Sequence, residues 1–205
     1  VKPNPALNEG EIDANFFQHK PYLDGFARDH KLNLVSAGSV HVEPLGLYSD
    51  KVEKVQDLKK RSVIAIPSDS VNGGRALLLL QTNGIIKLSD SAGLEATERD
   101  IVENPLKLKF KSIEAAQLPR VIRDVGAAVI NGNYAIEAGL KPTTDALLIE
   151  GAESPYANIV AVRTGDQTRE EIVKLMAALQ SDKVKEFILA NYDGGVVPAF
   201  GPGQE

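Results

Sequence analysis

The chain has 205 residues, 43% hydrophobic and 25% charged, with 28 acidic side chains against 23 basic ones and no low-complexity tract, which excludes an intrinsically disordered polypeptide. A formal net charge of -5 without any Lys/Arg block excludes a protein built to neutralise a nucleic-acid backbone. Cysteine is absent, which removes disulfides, thiolate nucleophiles and cysteine-bound metals, and no run reaches the roughly 18–20 apolar residues of a membrane-spanning helix. The length suits either one large α/β domain or two lobes of about 100 residues each. Val1-Lys2-Pro3 carries no Met, basic n-region or apolar h-region, so the start is expected to be processed or truncated.

Apolar residues Leu7, Ile12, Phe16, Leu23 and Phe26 recur at helical spacing and predict helix, turn and helix over 4–31, interrupted at Pro21. A strand follows over Leu32–Ser36, then a stretch through His41–Tyr48 and an amphipathic turn at Val55 and Leu58. The compact apolar run Val63–Pro67 predicts a strand. After it, a loop holding Asp69, Asn72, Gly73 and Gly74 opens into a helix from Arg75 to Gln81, ending near Asn83-Gly84. Leu108–Phe110 predicts a strand, Ala115–Arg123 a helix, and Ala127–Asn131 a strand covered on both faces, as in a parallel sheet. Ile159–Val162 is a further strand, followed by helices over Arg169–Leu179 and Asp182–Asn191, then Gly194-Gly195 and a Gly/Pro-rich tail. Alternating strands and helices without a fixed-period repeat indicate an α/β fold.

Several features could carry chemistry, and each admits a plainer alternative. The loop before Arg75 offers backbone N–H groups beside a guanidinium, suited to a carboxylate; the alternative is a surface salt bridge or a helix-terminal hydrogen bond. It lacks the Gly-Lys-Ser/Thr of a phosphate loop and the third glycine of a dinucleotide site. Phe16, Phe17 and Tyr22 lie within seven positions in a chain of six Phe and five Tyr, and can wall a pocket for an apolar or thioether side chain or fill a core. His19 has no second His or Cys at ligand spacing and is expected to be structural rather than metal-binding, and His41-x-Glu43 resembles no zinc motif. Asn131, Asn133 and Asn158 sit at strand margins, where an amide can meet both ends of a zwitterion or simply shape a turn. No Gly-x-Ser-x-Gly, no His-Glu-x-x-His and no cysteine nucleophile is present, which favours binding over catalysis.

Taken together, eight ordered blocks resemble the methionine-binding lipoproteins that serve bacterial ABC importers. They are Asn4-Pro5-Ala6-Leu7 with Gly10–Asn15; Phe17-Gln18-His19-x-Pro21-Tyr22-Leu23; His41-x-Glu43-Pro44-x-Gly46-x-Tyr48-Ser49; and Ile64–Pro67 with Asn72-x-Gly74-Arg75-Ala76-Leu77. Ile101-x-Glu103-Asn104-Pro105, Ala115–Arg120, Ala128-Val129-Ile130-Asn131-x-x-Tyr134-Ala135 and Ser154-Pro155-Tyr156-x-Asn158-Ile159 complete the set, which runs from Asn4 to about Phe200.

The resemblance implies a two-lobed periplasmic-binding-protein type II fold that traps ligand in a cleft by hinge closure. Lobe one would comprise 1–47 and 154–205, and lobe two 48–153. Arg75 would clamp the ligand carboxylate, Asn72, Asn131 and Asn158 would hydrogen-bond its polar end, and Phe17, His19, Tyr22 and Tyr48 would wrap the side chain. The expected ligand is methionine, the expected partner an ABC permease, and the expected location the cell envelope, held by a lipid anchor outside this chain; no catalytic residue, metal or cofactor is expected. The alternative ligand is a methionine-containing dipeptide or another apolar amino acid, and the alternative class is an enzyme or effector domain on the same scaffold. Family members carry a further strand, helix and strand ahead of the part seen here, so roughly fifty residues of lobe one are expected to be missing, with strand edges left unpaired.

Overall fold

Helix α1 (Pro3–Glu9), strand β1 (Asn15–His19), helix α2 (Lys20–His30) and strand β2 (Leu34–Val42) open the chain in a computed structural model that describes residues 2–151 and 154–200. Next come β3 (Gly46–Tyr48), β4 (Val63–Pro67), α3 (Ser70–Thr82), β5 (Lys87–Leu88), β6 (Ile101–Glu103) and β7 (Lys109–Ile113). They are followed by α4 (Leu118–Val121), β8 (Ala127–Ile130), α5 (Gly132–Glu137), α6 (Pro142–Asp145) and β9 (Leu148–Ile149). Strand β10 (Asn158–Arg163), helices α7 (Glu170–Leu179) and α8 (Asp182–Asn191) and strand β11 (Val197–Pro198) close it. The expected lobe boundary at 153 and the tail over 201–205 lie outside the described residues, as does Val1.

The chain divides into two compact units, Val1–Glu43 with Ala152–Glu205, and Pro44–Gly151. The first crossing falls after Glu43 rather than after 47, because Gly46–Tyr48 pairs with β8 on one side and β9 on the other, and Leu45 is buried in the core of the second unit.

The first unit holds an antiparallel sheet in the order β1-β10-β2-β11. Alternation along β10 sends Ile159 and Ala161 into one cluster, with Leu7 of α1, Leu23 of α2 and Leu34. Val160 and Val162 enter the other, with Val40 and with Ile172 and Met176 of α7. Asn15–His19 forms a strand where helical spacing predicts a helix; pairing with β10 overrides a spacing that Phe16 shares with Ile12 and Leu23 only by coincidence. Pro21 does not interrupt a helix. It occupies the first turn of α2, where its missing N–H costs nothing.

The second unit holds a mixed sheet in the order β7-β4-β8-β3-β9. Strands β7, β4 and β8 run parallel, as the apolar run Ala127–Asn131 predicts for its own strand, while β3 pairs antiparallel with β8 and β9 antiparallel with β3. The predicted helix over Ala115–Arg123 is shorter, a 3-10 turn at Ala115–Gln117 leading into α4.

Helix α3 starts five residues earlier than the loop expectation, at Ser70 rather than Arg75. Asp69 is its N-cap, accepting from the Asn72 N–H at 2.8 Å, so Asn72, Gly73 and Gly74 are helical. Gly74 is required by close approach: a Cβ there would stand 2.2 Å from the carbonyl oxygen of Leu94 and 2.8 Å from the nitrogen of Ala96. Helix propensity alone favours Ala over Gly by about 1 kcal/mol. The clash is with backbone that cannot swing away, and overpacking of this kind costs roughly 1–3 kcal/mol. Gly74→Ala is therefore expected to lower the urea-denaturation free energy; a stabilised variant would show that the 94–96 segment yields freely.

Candidate functional site

In the first unit, the candidate side chains gather around one row of the sheet. Asn158 on β10 is the register partner of His19 on β1 and of His41 on β2, so the three residues lie side by side across adjacent strands. The His41 Nε2 lies 3.2 Å from the Asn158 amide nitrogen and 3.0 Å from the Glu43 carboxylate, so that it accepts from Asn158 in one tautomer and donates to Glu43 in the other. His19 is fixed from the other end of the row. It is the N-cap of α2, and its Nδ1 accepts from the Tyr22 N–H at 3.1 Å, which leaves the ring proton on Nε2 in the neutral form. The plainer reading of His19 therefore holds in part, since it has a structural duty.

Aromatic edges surround this row. The His19 ring meets Tyr22 at 6.1 Å and Tyr156 at 5.1 Å, and Phe17 meets Tyr22 at 6.4 Å, all edge-on. Tyr22 in turn stacks on Phe26. Phe17 is 42% exposed, a large apolar surface left uncovered by its own unit. Phe16, edge-on to His41 at 5.3 Å, and Tyr156 belong to the same cluster. Motif spacing pointed to neither His41 nor Tyr156, because the sheet, not the local sequence, brings them to the row.

In the second unit, the polar candidates gather at the start of α3. Asn72 and Arg75 stand three residues apart and share one face of the helix. The Asn72 amide donates to both carboxylate oxygens of Asp69, at 3.0 and 3.1 Å, and its Oδ1 accepts from the Asn131 Nδ2 at 2.9 Å. Asn131 precedes α5, and its Oδ1 is buried with no hydrogen-bond partner among the described residues. An acceptor in that state costs on the order of 1–3 kcal/mol until a donor reaches it. Asn133, by contrast, is exposed on α5.

Arg75 is 3% exposed and forms a two-point ion pair with Glu150, through Nε to Oε1 at 3.0 Å and Nη2 to Oε2. Glu150 also accepts from the Leu45 N–H at 3.3 Å. The surface salt-bridge alternative does not describe this: Arg75 is a buried, carboxylate-paired guanidinium. Glu150 escaped sequence reasoning because its partner lies 75 residues away and no local motif marks it.

Tyr48 departs further from expectation. It is 1% exposed, packed with Ala65, Leu118 and Ala128 in the core of the second unit, and its ring lies over Gly46, where a Cβ would come within 2.7 Å. It is a core residue by packing, whereas Phe16 and Phe17 keep exposed surface.

The matching family model is the NlpA lipoprotein model, over residues 1–200. A curated relative, the D-methionine-binding lipoprotein MetQ of Salmonella typhimurium, is 46% identical over 199 residues, covering 96% of this chain and 73% of the relative. The Escherichia coli K12 protein of the same name is 45% identical with the same coverage. Among solved structures, a nutrient binding protein from Burkholderia cenocepacia bound to methionine is 50% identical with a TM-score of 0.94, covering 98% of this chain and 84% of that one. The crystal structure of the methionine binding protein MetQ is 44% identical with a TM-score of 0.93, covering 98% and 83%. These structures carry the fold of periplasmic substrate-binding proteins, and this chain shares it.

Burial, with a smaller contribution from the charge of Asp145, pushes the Tyr48 phenol up to about 12. Its hydroxyl is buried without a hydrogen-bond partner among the described residues. An unfolded tyrosine ionises near 10. A folded value above the unfolded one means that the associated stability is intact below about pH 10 and is lost progressively as pH rises towards 12. Tyr48→Phe is expected to stabilise the protein by about 1 kcal/mol at pH 7, by removing an orphaned hydroxyl, and to abolish that alkaline loss. Urea titrations at pH 7 and pH 11 test both, and an equal loss at pH 11 in the variant would show that Tyr48 is not its source.

Proposed function

The chain belongs to the NlpA lipoprotein family, and from that premise we propose that it is an extracytoplasmic substrate-binding protein that captures methionine and delivers it to an ABC importer. The observation that carries this reading is the methionine-bound Burkholderia cenocepacia protein, half identical to this chain and matching it over 98% of its length. The family's lipoprotein character supports a place at the cell envelope, held by a lipid anchor. Among the described residues, no helix is long and apolar enough to cross a membrane.

The local chemistry supports the same ligand. A zwitterionic amino acid needs a cation for its carboxylate and acceptors for its ammonium. The second unit offers the guanidinium of Arg75 and the buried Oδ1 of Asn131, with Asn72 bonded to Asn131. Arg75 carries five N–H donors; Glu150 holds its plane while the ligand carboxylate engages it. The first unit offers the thioether a wall of aromatic edges at Phe17, Tyr22 and His19, each sulfur–aromatic contact worth roughly 0.3–1.5 kcal/mol. Asn158, tethered to His41, supplies a polar group at the margin of that wall. Tyr48 acts from beneath, as packing for the second unit. A zwitterion suits the polar groups of the second unit and a thioether the ring edges of the first, and methionine carries both. The role is binding rather than catalysis, consistent with the family and with the way its relatives are named.

Calorimetry with L-methionine, D-methionine, Gly-Met and alanine tests the assignment: methionine is expected to bind well ahead of alanine, and the absence of methionine binding would refute it. Arg75→Ala is expected to weaken methionine binding by on the order of 1.5–3 kcal/mol, as for a hydrogen bond to a charged group. The double variant Arg75→Ala/Glu150→Gln serves as the folded control, because the single change leaves Glu150 without its counter-charge. Unchanged affinity in either variant would remove Arg75 from the ligand site.

A further inference from the structure

Strand β1 contains an irregularity that decides which of its side chains face the aromatic row. Asn15 pairs with Ala161 and Phe16 with Val160, but the next pair is Gln18 with Ile159, followed by His19 with Asn158. Phe17 is the extra residue of a β-bulge. Cross-strand partners share a face, so Asn15 and Gln18 lie with Ala161 and Ile159, on the side of the Leu7 and Leu23 cluster. Phe16 and His19 lie with Val160 and Asn158 on the other side. In a regular strand Asn15 and Gln18, three residues apart, would point to opposite faces. Continuing the pairing of Phe16 without the bulge would set Phe17 against Ile159 and Gln18 against Asn158, carrying His19 to the opposite face.

One feature holds the bulged pairing in place. The Oδ1 of Asn4, on α1, accepts from Gln18 Nε2 at 2.7 Å and from Asn15 Nδ2 at 3.0 Å, and its Nδ2 donates to Gln18 Oε1 at 2.9 Å. Gln18 Nε2 also donates to Asn15 Oδ1 at 2.9 Å, and Asn15 Nδ2 reaches the Pro3 carbonyl at 3.3 Å. All three amides are buried. The network closes only if Asn15 and Gln18 share a face, hence only with the bulge; without it, buried amides would lose their partners, a heavy cost in an apolar setting. Bulges next to binding sites re-aim side chains.

We infer that the Asn4–Asn15–Gln18 amide network is a register lock that positions Phe17 and His19 for the ligand side chain, and so sets side-chain selectivity from the far side of the sheet. These three are positioning residues; none of them is assigned a ligand contact. The inference rests on the proposed methionine-binding role only for its effect on selectivity.

Two full-chain variants test it: Asn4→Leu, which removes the shared acceptor at similar volume, and the milder Gln18→Met, which leaves the Asn4–Asn15 bond and carries the test should the first fail to fold. Cross-strand backbone NOEs read the register directly, with or without ligand. Wild type is expected to pair His19 with Asn158. The variants are expected to lose that pairing and, in calorimetry, to lose roughly ten-fold of the preference for methionine over alanine, equivalent to one or two aromatic contacts with the thioether. A merely structural network would lower the affinity for both amino acids by the same factor. Retention of the wild-type pairing in the folded variants overturns the lock, and an unchanged preference despite lost pairing overturns its role in selectivity. A wild-type protein that binds no methionine would refute the proposed function, while the NOEs would still decide the register.

Discussion

A guanidinium buried to the extent of Arg75 is tolerable only with a carboxylate against it, and much of the second unit follows from that pairing. Charges removed from water cost several kcal/mol each unless paired and hydrogen-bonded. Glu150 supplies the counter-charge from one end of the unit's sequence and ties down the Leu45 N–H at the other. Arg75 can meet it only because α3 begins at Ser70, and α3 begins there only because Asp69 caps it. The same cap sets Asn72 one turn ahead of Arg75, and Asn72 holds Asn131. The polar groups of the second unit are thus held in place by one another, and preorganised dipoles of this kind avoid the cost of reorganising at the moment of binding.

The first unit meets a different constraint, parity in an antiparallel sheet. Each residue of β10 commits its neighbours on β1 and β2 to one face, so the row His19, Asn158, His41 is a matter of register rather than of any single contact. A polar row on the face that also carries Val160 and Val162 is sustained by its bonds: His19 caps α2, and the His41 Nε2 stands within bonding distance of Asn158 and Glu43. The aromatic edges can then remain exposed at Phe16 and Phe17 without loosening the core beneath them.

How much of this was legible in the sequence depended on the range of the interactions. Val63–Pro67 and Asp182–Asn191 were readable to the residue, because an apolar run and a helical period are local signals. Gly73 and Gly74 read as loop, since composition records their helix cost and not the backbone of 94–96 lying against one of them. Strand β1 read as helix because its bulge breaks the two-residue alternation by which a strand is recognised. Of the candidate residues, Asn72 and Asn131 are bonded to each other, and so are His19 and Tyr22. Glu150 was found only through the fold, His41 and Tyr156 stood in the matched blocks without an expected role, and Tyr48 fell in the core. The motif marks a position; burial decides what that position can do.

The two units present different chemistry. Arg75 and Asn131 of the second unit, where the geometry is fixed by an ion pair and a capped helix, are the groups proposed for the carboxylate and ammonium common to all amino acids. The ring edges of the first unit, beside a bulge and three bonded amides, are the groups proposed for the side chain that distinguishes one amino acid from another. Charge-assisted bonds are strong and alike for every amino acid, so they supply affinity without choice. Dispersion and sulfur–aromatic contacts are individually weak and depend steeply on distance, so they supply choice. Such contacts discriminate only if the rings are held to within a fraction of an ångström. This is the physical reason for placing a rigid, fully bonded polar network behind an apolar wall, where hydrophobic packing alone would leave the strand free to slip by a residue.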